Sequence, residues 1–105
     1  MKLISCYRDD TGLLRARTAD KDQALAVFLE TDIQEDTALV AELLKQIKLL
    51  KKGKKKRYES SGNAHTVTLT PKTATLESLY DDEAPRYRLK LSHFQDVLTR
   101  WTDNI

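Results

Sequence analysis

The sequence predicts an α+β domain with a mainly antiparallel sheet, in the order three strands, helix, four strands, helix. Three observations carry that expectation. Two stretches, 37–52 and 92–105, set apolar residues at the spacing of one helix face. Shorter stretches such as His65 to Leu69 and Arg86 to Leu91 alternate at period two. Neither a βαβ alternation nor a Gly/Pro-rich linker divides them, so residues 1–105 are expected to form one domain.

The elements follow in chain order. Lys2 to Arg8 reads as a strand, with Leu3, Ser5 and Tyr7 on one face and Ile4 and Cys6 on the other. Asp9-Asp10-Thr11-Gly12 is turn chemistry, because Asx side chains bond nearby backbone and glycine tolerates positive φ. Leu13 to Thr18 returns as the second strand of a hairpin. Gln23 to Ile33 is double-faced: its residues are good helix formers, yet Leu25-Val27-Leu29 alternates. A lone hairpin needs further sheet to join, and that need predicts a third strand here.

Thr37 to Lys52 reads as a helix with Asp36 as N-cap and with Glu35 and Asp36 at the positive end of the helix dipole. Leu39, Val40, Leu43, Leu44, Ile47 and Leu50 form its inward stripe. Lysines crowd its last turn, and Gly53 suits the left-handed position beyond it. Lys56 to Ser61 and Ala64 to Thr70 then read as a hairpin turning at Gly62-Asn63, with His65, Val67 and Leu69 opposite Thr66, Thr68 and Thr70. Pro71 should end that strand, since proline cannot donate to a ladder. Thr73 to Tyr80 is a further strand, Asp81 to Pro85 an acidic loop, and Arg86 to Leu91 a strand with Arg86, Arg88 and Lys90 outward. Ser92 and Gln95 have capping-box spacing, and Phe94, Val97, Leu98, Trp101 and Ile105 make the last apolar stripe.

Composition narrows the function classes. The chain carries 18 basic and 16 acidic residues, a formal +2. The basic residues between Lys45 and Arg57 have no acid among them; without that stretch ten basic residues face 16 acidic ones. The molecule is therefore an acidic body with one basic corner. Lys51, Lys52, Lys54, Lys55, Lys56 and Arg57 could meet phosphates. A lysine-rich helix end is more often solvated, however, and no aromatic residue interrupts the run to stack a base. No apolar stretch approaches the ~20 residues of a membrane span. The opening residues are too short for a signal-peptide core, and a single cysteine, Cys6, fits a reducing compartment, so a cytoplasmic protein is expected.

Catalytic constellations are scarce. His65 and His93 lack partners at metal-ligand spacing, so no metal or cofactor is expected. His93 is expected to face solvent and His65 to be partly buried and hydrogen-bonded; Cys6 is expected to be a small core residue. Neither a nucleophile elbow nor a phosphate-binding loop occurs. An enzyme is not expected. A binding module is, and its acidic candidates are Glu30, Asp32, Glu35 and Asp36 at the first helix entrance with Asp81, Asp82 and Glu83 in the later loop. Tight binding also needs an uncharged anchor, for which Tyr7, Tyr58, Tyr80 and Tyr87 are candidates.

Arg8-Asp9-Asp10-Thr11-Gly12 followed by Leu13-Leu14-Arg15-Ala16-Arg17 resembles the opening of the YacL-like bacterial proteins. The similarity continues at Phe28, Glu30 to Asp36, Ala38-Leu39, Glu42, Tyr58, Ser61-Gly62 and Thr66, and less specifically in the closing helix. The Lys-rich loop is more basic than that family's pattern. The resemblance implies a sheet-then-helix order repeated twice, similar also to the Whirly fold that binds single-stranded nucleic acid. YacL-like proteins include CdiI-type immunity proteins of contact-dependent growth inhibition systems. The function so implied is an antitoxin that occludes the toxin nuclease domain of a CdiA-type effector, commonly a transfer-RNA-cleaving ribonuclease. Asp32, Glu35, Asp36, Tyr80, Asp81, Asp82 and Glu83 would then face the toxin. The alternatives are a nucleic-acid-binding regulator using the 45–57 segment and a housekeeping domain without a toxin partner.

Overall fold

A computed structural model of the chain describes residues 3–105, so Lys2 of the expected first strand lies outside the described residues. Strands β1 (Ser5–Arg8) and β2 (Leu14–Arg17) form an antiparallel two-stranded sheet of their own. Helix α1 (Gln23–Phe28) runs into a π-helical turn over Leu29–Ile33, and α2 spans Thr37–Lys51. Strands β3 (Tyr58–Ser61), β4 (His65–Leu69), β5 (Thr73–Ser78) and β6 (Tyr87–Lys90) make an antiparallel meander in sequence order. Helix α3 (Leu91–Thr102) follows β6 directly. The class is α+β with antiparallel sheets, as expected.

One expected strand is absent. Residues Gln23 to Ile33 are helical, and the burial pattern says why. Leu25, Ala26, Phe28, Leu29 and Ile33 are buried at three- and four-residue spacing, while Val27, which a strand would turn inward with Leu25 and Leu29, is 39% exposed. The hairpin that needed a sheet instead docks on this helix. Glu30 Oε2 accepts the outward Ala16 N–H of β2 at 2.9 Å, and Glu30 Oε1 pairs with Arg15 at 3.0 Å. A carboxylate thus satisfies the strand edge in place of a third strand. The sheet-then-helix order recurs, with two strands and two helical segments in the first half and four strands and one helix in the second.

The hairpin turn forms as its residues dictate. Asp9 Oδ1 accepts from Thr11 N, Thr11 Oγ1 and Leu13 N, while Gly12 takes φ +86°. These bonds hold the Asp9 carboxyl below its usual range, the Thr11 hydroxyl contributing most. Arg8 spans from the Gly12 carbonyl to Glu35 and to the Asn104 carbonyl, tying the hairpin to both later helices. The family-like opening is therefore a structural clasp.

Both ends of α2 match their sequence signals. Asp36 accepts from Leu39 N at 3.0 Å. Past the helix, Gly53 at φ +74° lets its own N–H reach Leu50 O and Lys54 N reach Leu49 O, a Schellman closure. The start of α3 differs: Lys90 occupies the N-cap with no side-chain bond, so the Ser92–Gln95 capping box is not formed. Gln95 instead accepts from Lys51 Nζ. Ile105 lies beyond the helix end and is 38% exposed, outside the stripe expected of it.

The core lies between the helices and one face of the meander. Val67 and Leu69 of β4 and Ala74 and Leu76 of β5 meet Val40, Leu43, Ile47 and Leu50 of α2 and Leu91, Phe94, Val97, Leu98 and Trp101 of α3 in one buried cluster. Phe28 brings the first half in, with its ring 6.0 Å from Phe94 and edge-on to His65 at 5.9 Å.

A strained residue joins the halves. Gln34 adopts φ 51°, ψ −131°, and Asp36 N bonds to Ile33 O at 3.1 Å, so Gln34 holds the first central place of a type II′ turn. That place favours glycine, because a Cβ there crowds the backbone. Gln34→Gly should raise stability by about 1 kcal/mol, read as a higher urea midpoint at unchanged slope. A loss of stability would show that the glutamine side chain, which donates to Thr31 O at 3.2 Å, outweighs the strain.

Candidate functional site

The structure separates the acidic candidates. Asp32 points inward, its side chain only 2% exposed. Its carboxylate accepts from Ala64 N at 3.1 Å, His65 N at 3.0 Å and Thr31 Oγ1 at 2.8 Å, and lies 3.3 Å from His65 Nδ1. It fastens the π-helical turn to the start of β4 and cannot also serve on an outward acidic surface. Gly62 fits beside it, since a Cβ there would stand 2.6 Å from Asp32 Oδ2. Glu35 is exposed but paired with Arg8 at 3.0 Å, and exposed Asp36 is the α2 cap.

The loop between β5 and β6 is different. Leu79 is 43% and Tyr80 81% exposed, and exposed Asp81, Asp82 and Glu83 follow. Its backbone is nonetheless held. Ser78 Oγ accepts from Tyr80 N at 3.2 Å and Asp81 N at 3.1 Å, and Asp81 Oδ1 accepts from Glu83 N at 3.0 Å. The Tyr80 hydroxyl donates to the Asn63 carbonyl at 2.7 Å, across to the β3–β4 turn. An aromatic ring is thereby fixed in solvent beside three carboxylates.

The other tyrosines are engaged elsewhere. Arg17 covers the Tyr7 ring at 4.7 Å and Lys55 the Tyr58 ring at 5.1 Å. Tyr87 is half-buried and donates to Asp22 Oδ1 at 2.6 Å; burial and that acid together push its phenol far above the ordinary range. Of the four candidates, Tyr80 is the one whose ring is left most exposed to solvent.

The basic corner is partly occupied by internal bonds. Lys51 reaches Gln95, Lys55 reaches Gln46 Oε1, and Arg57 pairs with Glu59 at 3.5 Å. Lys52, Lys54 and Lys56 are exposed. His65 is 8% exposed, hydrogen-bonded through Asp32 as its strand position suggested; His93 is half-buried rather than solvent-facing. Cys6 is partly buried against the core. Among the described residues no group of three His, Cys, Asp or Glu could hold a metal ion, and no helix is long and apolar enough to cross a membrane.

One surface was only half legible in the sequence. The meander is covered by helices on one face alone. Its other face presents three cross-strand rows: Arg57, Thr70, Thr73 and Lys90; Glu59, Thr68, Thr75 and Arg88; Ser61, Thr66, Glu77 and Arg86. Alternation marks each residue as outward, but only strand pairing sets Arg57 beside Thr70 and Thr73 and Arg88 beside Thr75 and Thr68 in the adjoining row.

Fold and surfaces together define a small α+β protein, a helix-backed antiparallel meander clasped to an N-terminal hairpin, with an ordered aromatic–acidic loop. The chain belongs to an uncharacterised protein family, UPF0231, whose model matches residues 6–83. That is the YacL-like family that the hairpin motif resembles. The match runs from β1 into the acidic loop and stops before β6 and α3. No curated protein and no solved structure matches the chain.

Proposed function

We propose that this protein is an immunity protein that binds a cognate toxin nuclease domain and blocks it by occlusion, docking through the Tyr80 loop. The observation that carries this reading is the tyrosine held 81% exposed beside Asp81, Asp82 and Glu83. Tight interfaces concentrate their energy in an aromatic anchor, and surrounding charge sets partner choice and encounter rate. A nuclease, whose substrate site must attract phosphates, is a partner of the required sign. The resemblance to YacL-like immunity proteins supplies the toxin class, a CdiA-type effector and most simply a transfer-RNA-cleaving ribonuclease. Occlusion asks no catalytic group of this chain. The acidic set is smaller than the sequence suggested: Asp32 is withdrawn, Glu35 is neutralised by Arg8, and Asp36 caps α2.

The test is co-expression with the toxin domain encoded beside the gene, with growth protection and binding kinetics as readouts. Reversal of Asp81, Asp82 and Glu83 to lysine should slow association about tenfold at low salt. Tyr80→Ala should speed dissociation by about 10–100-fold. Unaltered rate constants in both variants would remove the loop from the interface. Failure of the wild-type protein to protect poisoned cells would end the immunity reading itself.

A further inference from the structure

We propose that the uncovered face of the meander binds the phosphodiester backbone of a nucleic acid strand. This goes beyond toxin docking and uses none of the same residues. A cleft of about 220 Å³ lies on that face. Its floor is Thr68, Thr70, Thr73 and Thr75, and its walls are Glu77, Arg57 just before one edge strand, and Arg86 and Arg88 at the start of the other. The threonine floor is sheltered, with Thr75 only 9% exposed, whereas the three arginines are exposed.

The chemistry of that cleft is specific. Hydroxyls are neutral donors that need no counter-charge, and guanidinium forks match phosphate oxygens two at a time. Arg86 just before β6 and Arg88 and Lys90 within it put one cation at every second residue, about 6.8 Å apart along an extended chain. A line of evenly spaced cations suits a chain of evenly spaced phosphates better than a single anion. Lys54, Lys56 and Lys72 extend the positive field at the end of the sheet where Arg57 and Lys90 lie.

Two carboxylates share the face: Glu77, from the central strand β5, lines the cleft itself, and Glu59 stands in the middle row beside Thr68. Arg86 pairs with Glu77 at 3.3 Å and Arg57 with Glu59 at 3.5 Å, single-nitrogen contacts that leave guanidinium donors over. No aromatic side chain points outward from these rows, so bases would not be stacked and the strand would be read through its backbone. Charge on an edge strand also discourages sheet-to-sheet pairing. That role would be met by either sign in any arrangement; it does not call for arginines from opposite edges converging on one threonine floor.

The experiment is fluorescence anisotropy of the whole protein with a labelled single-stranded RNA at several salt concentrations. Wild-type affinity should fall steeply with salt. Arg57→Glu/Arg88→Glu should weaken binding at least tenfold and flatten the salt slope. Lys45→Glu/Lys48→Glu, the same change in net charge on the exposed side of α2, should change it less than twofold. Thr68→Val, neutral and strand-compatible, should weaken binding a few-fold only if the floor hydroxyls donate. Equal losses in the two charge-reversed variants, or no salt-dependent binding by the wild type, would overturn the proposal. So would equal affinity for polyglutamate, which would mark the face as a site for acidic polypeptides. Toxin protection by the Arg57→Glu/Arg88→Glu variant should be intact, which keeps the two proposals separable.

Discussion

Asp32→Ala should cost about 3 kcal/mol of stability, the removal of one buried carboxylate on which three donors converge. The Ala64 and His65 N–H groups lose their acceptor, and the His65 ring loses the carboxylate 3.3 Å from its Nδ1. Water has little access to replace it, since the Asp32 side chain is 2% and the His65 side chain 11% exposed. Asp32→Asn keeps one acceptor oxygen and should cost roughly half as much. Urea denaturation followed by circular dichroism measures both. The geometry adds a coupled expectation: Gly62→Ala should destabilise the wild type, because its Cβ would press on Asp32 Oδ2 at 2.6 Å, yet cost much less beside alanine at 32. Additive effects would mean that the two positions do not touch in solution. A cost below about 1 kcal/mol for Asp32→Ala would return that acid to the candidate outward set.

Trp101→Ala should be the more damaging change, at about 3–5 kcal/mol. Trp101 is fully buried at the heart of the core, and its indole N–H donates to the Gln34 carbonyl at 2.7 Å. The side chain therefore does two things, filling the space between α3 and the first half and satisfying the carbonyl of the strained turn residue. Trp101→Phe separates them, keeping most of the volume and losing the bond, and should cost about 1–2 kcal/mol. Equal costs for the two variants would assign the whole effect to the hydrogen bond. Because this is the chain's single tryptophan, the unfolding signal must come from circular dichroism in both variants.

Where sequence reasoning succeeded, the signal was local. The α2 cap at Asp36, the Gly53 closure and the Asp9–Gly12 turn each depend on residues within a few positions of one another, and each formed as expected. The β4 alternation of His65, Val67 and Leu69 likewise needed only one covered face. The failures share the opposite character. Gln23 to Ile33 offered both a helical and a period-two pattern, and the deciding fact was that Val27 lies outside the core. The Ser92–Gln95 pair had capping-box spacing, but β6 runs straight into α3 and moves the cap to Lys90. Among site residues, Asp32 and Asp81 carry the same side chain in acidic stretches of similar composition. Only the arrival of the β3–β4 turn against the π-helical turn makes one a buried acceptor and leaves the other in water.

The amino-acid order alone determined the α+β class, the four strands of the second half, two of the three helices and the outward direction of Arg86, Arg88 and Lys90, because periodicity and capping are properties of neighbours along the chain. Tertiary structure decided which acids remain in solvent, which tyrosine keeps its ring in solvent, and that arginines at the two edges of the meander border one threonine-floored cleft. The decisive meetings join distant parts of the chain, as Asp32 meets His65 and Tyr87 meets Asp22. No local pattern encodes such a meeting.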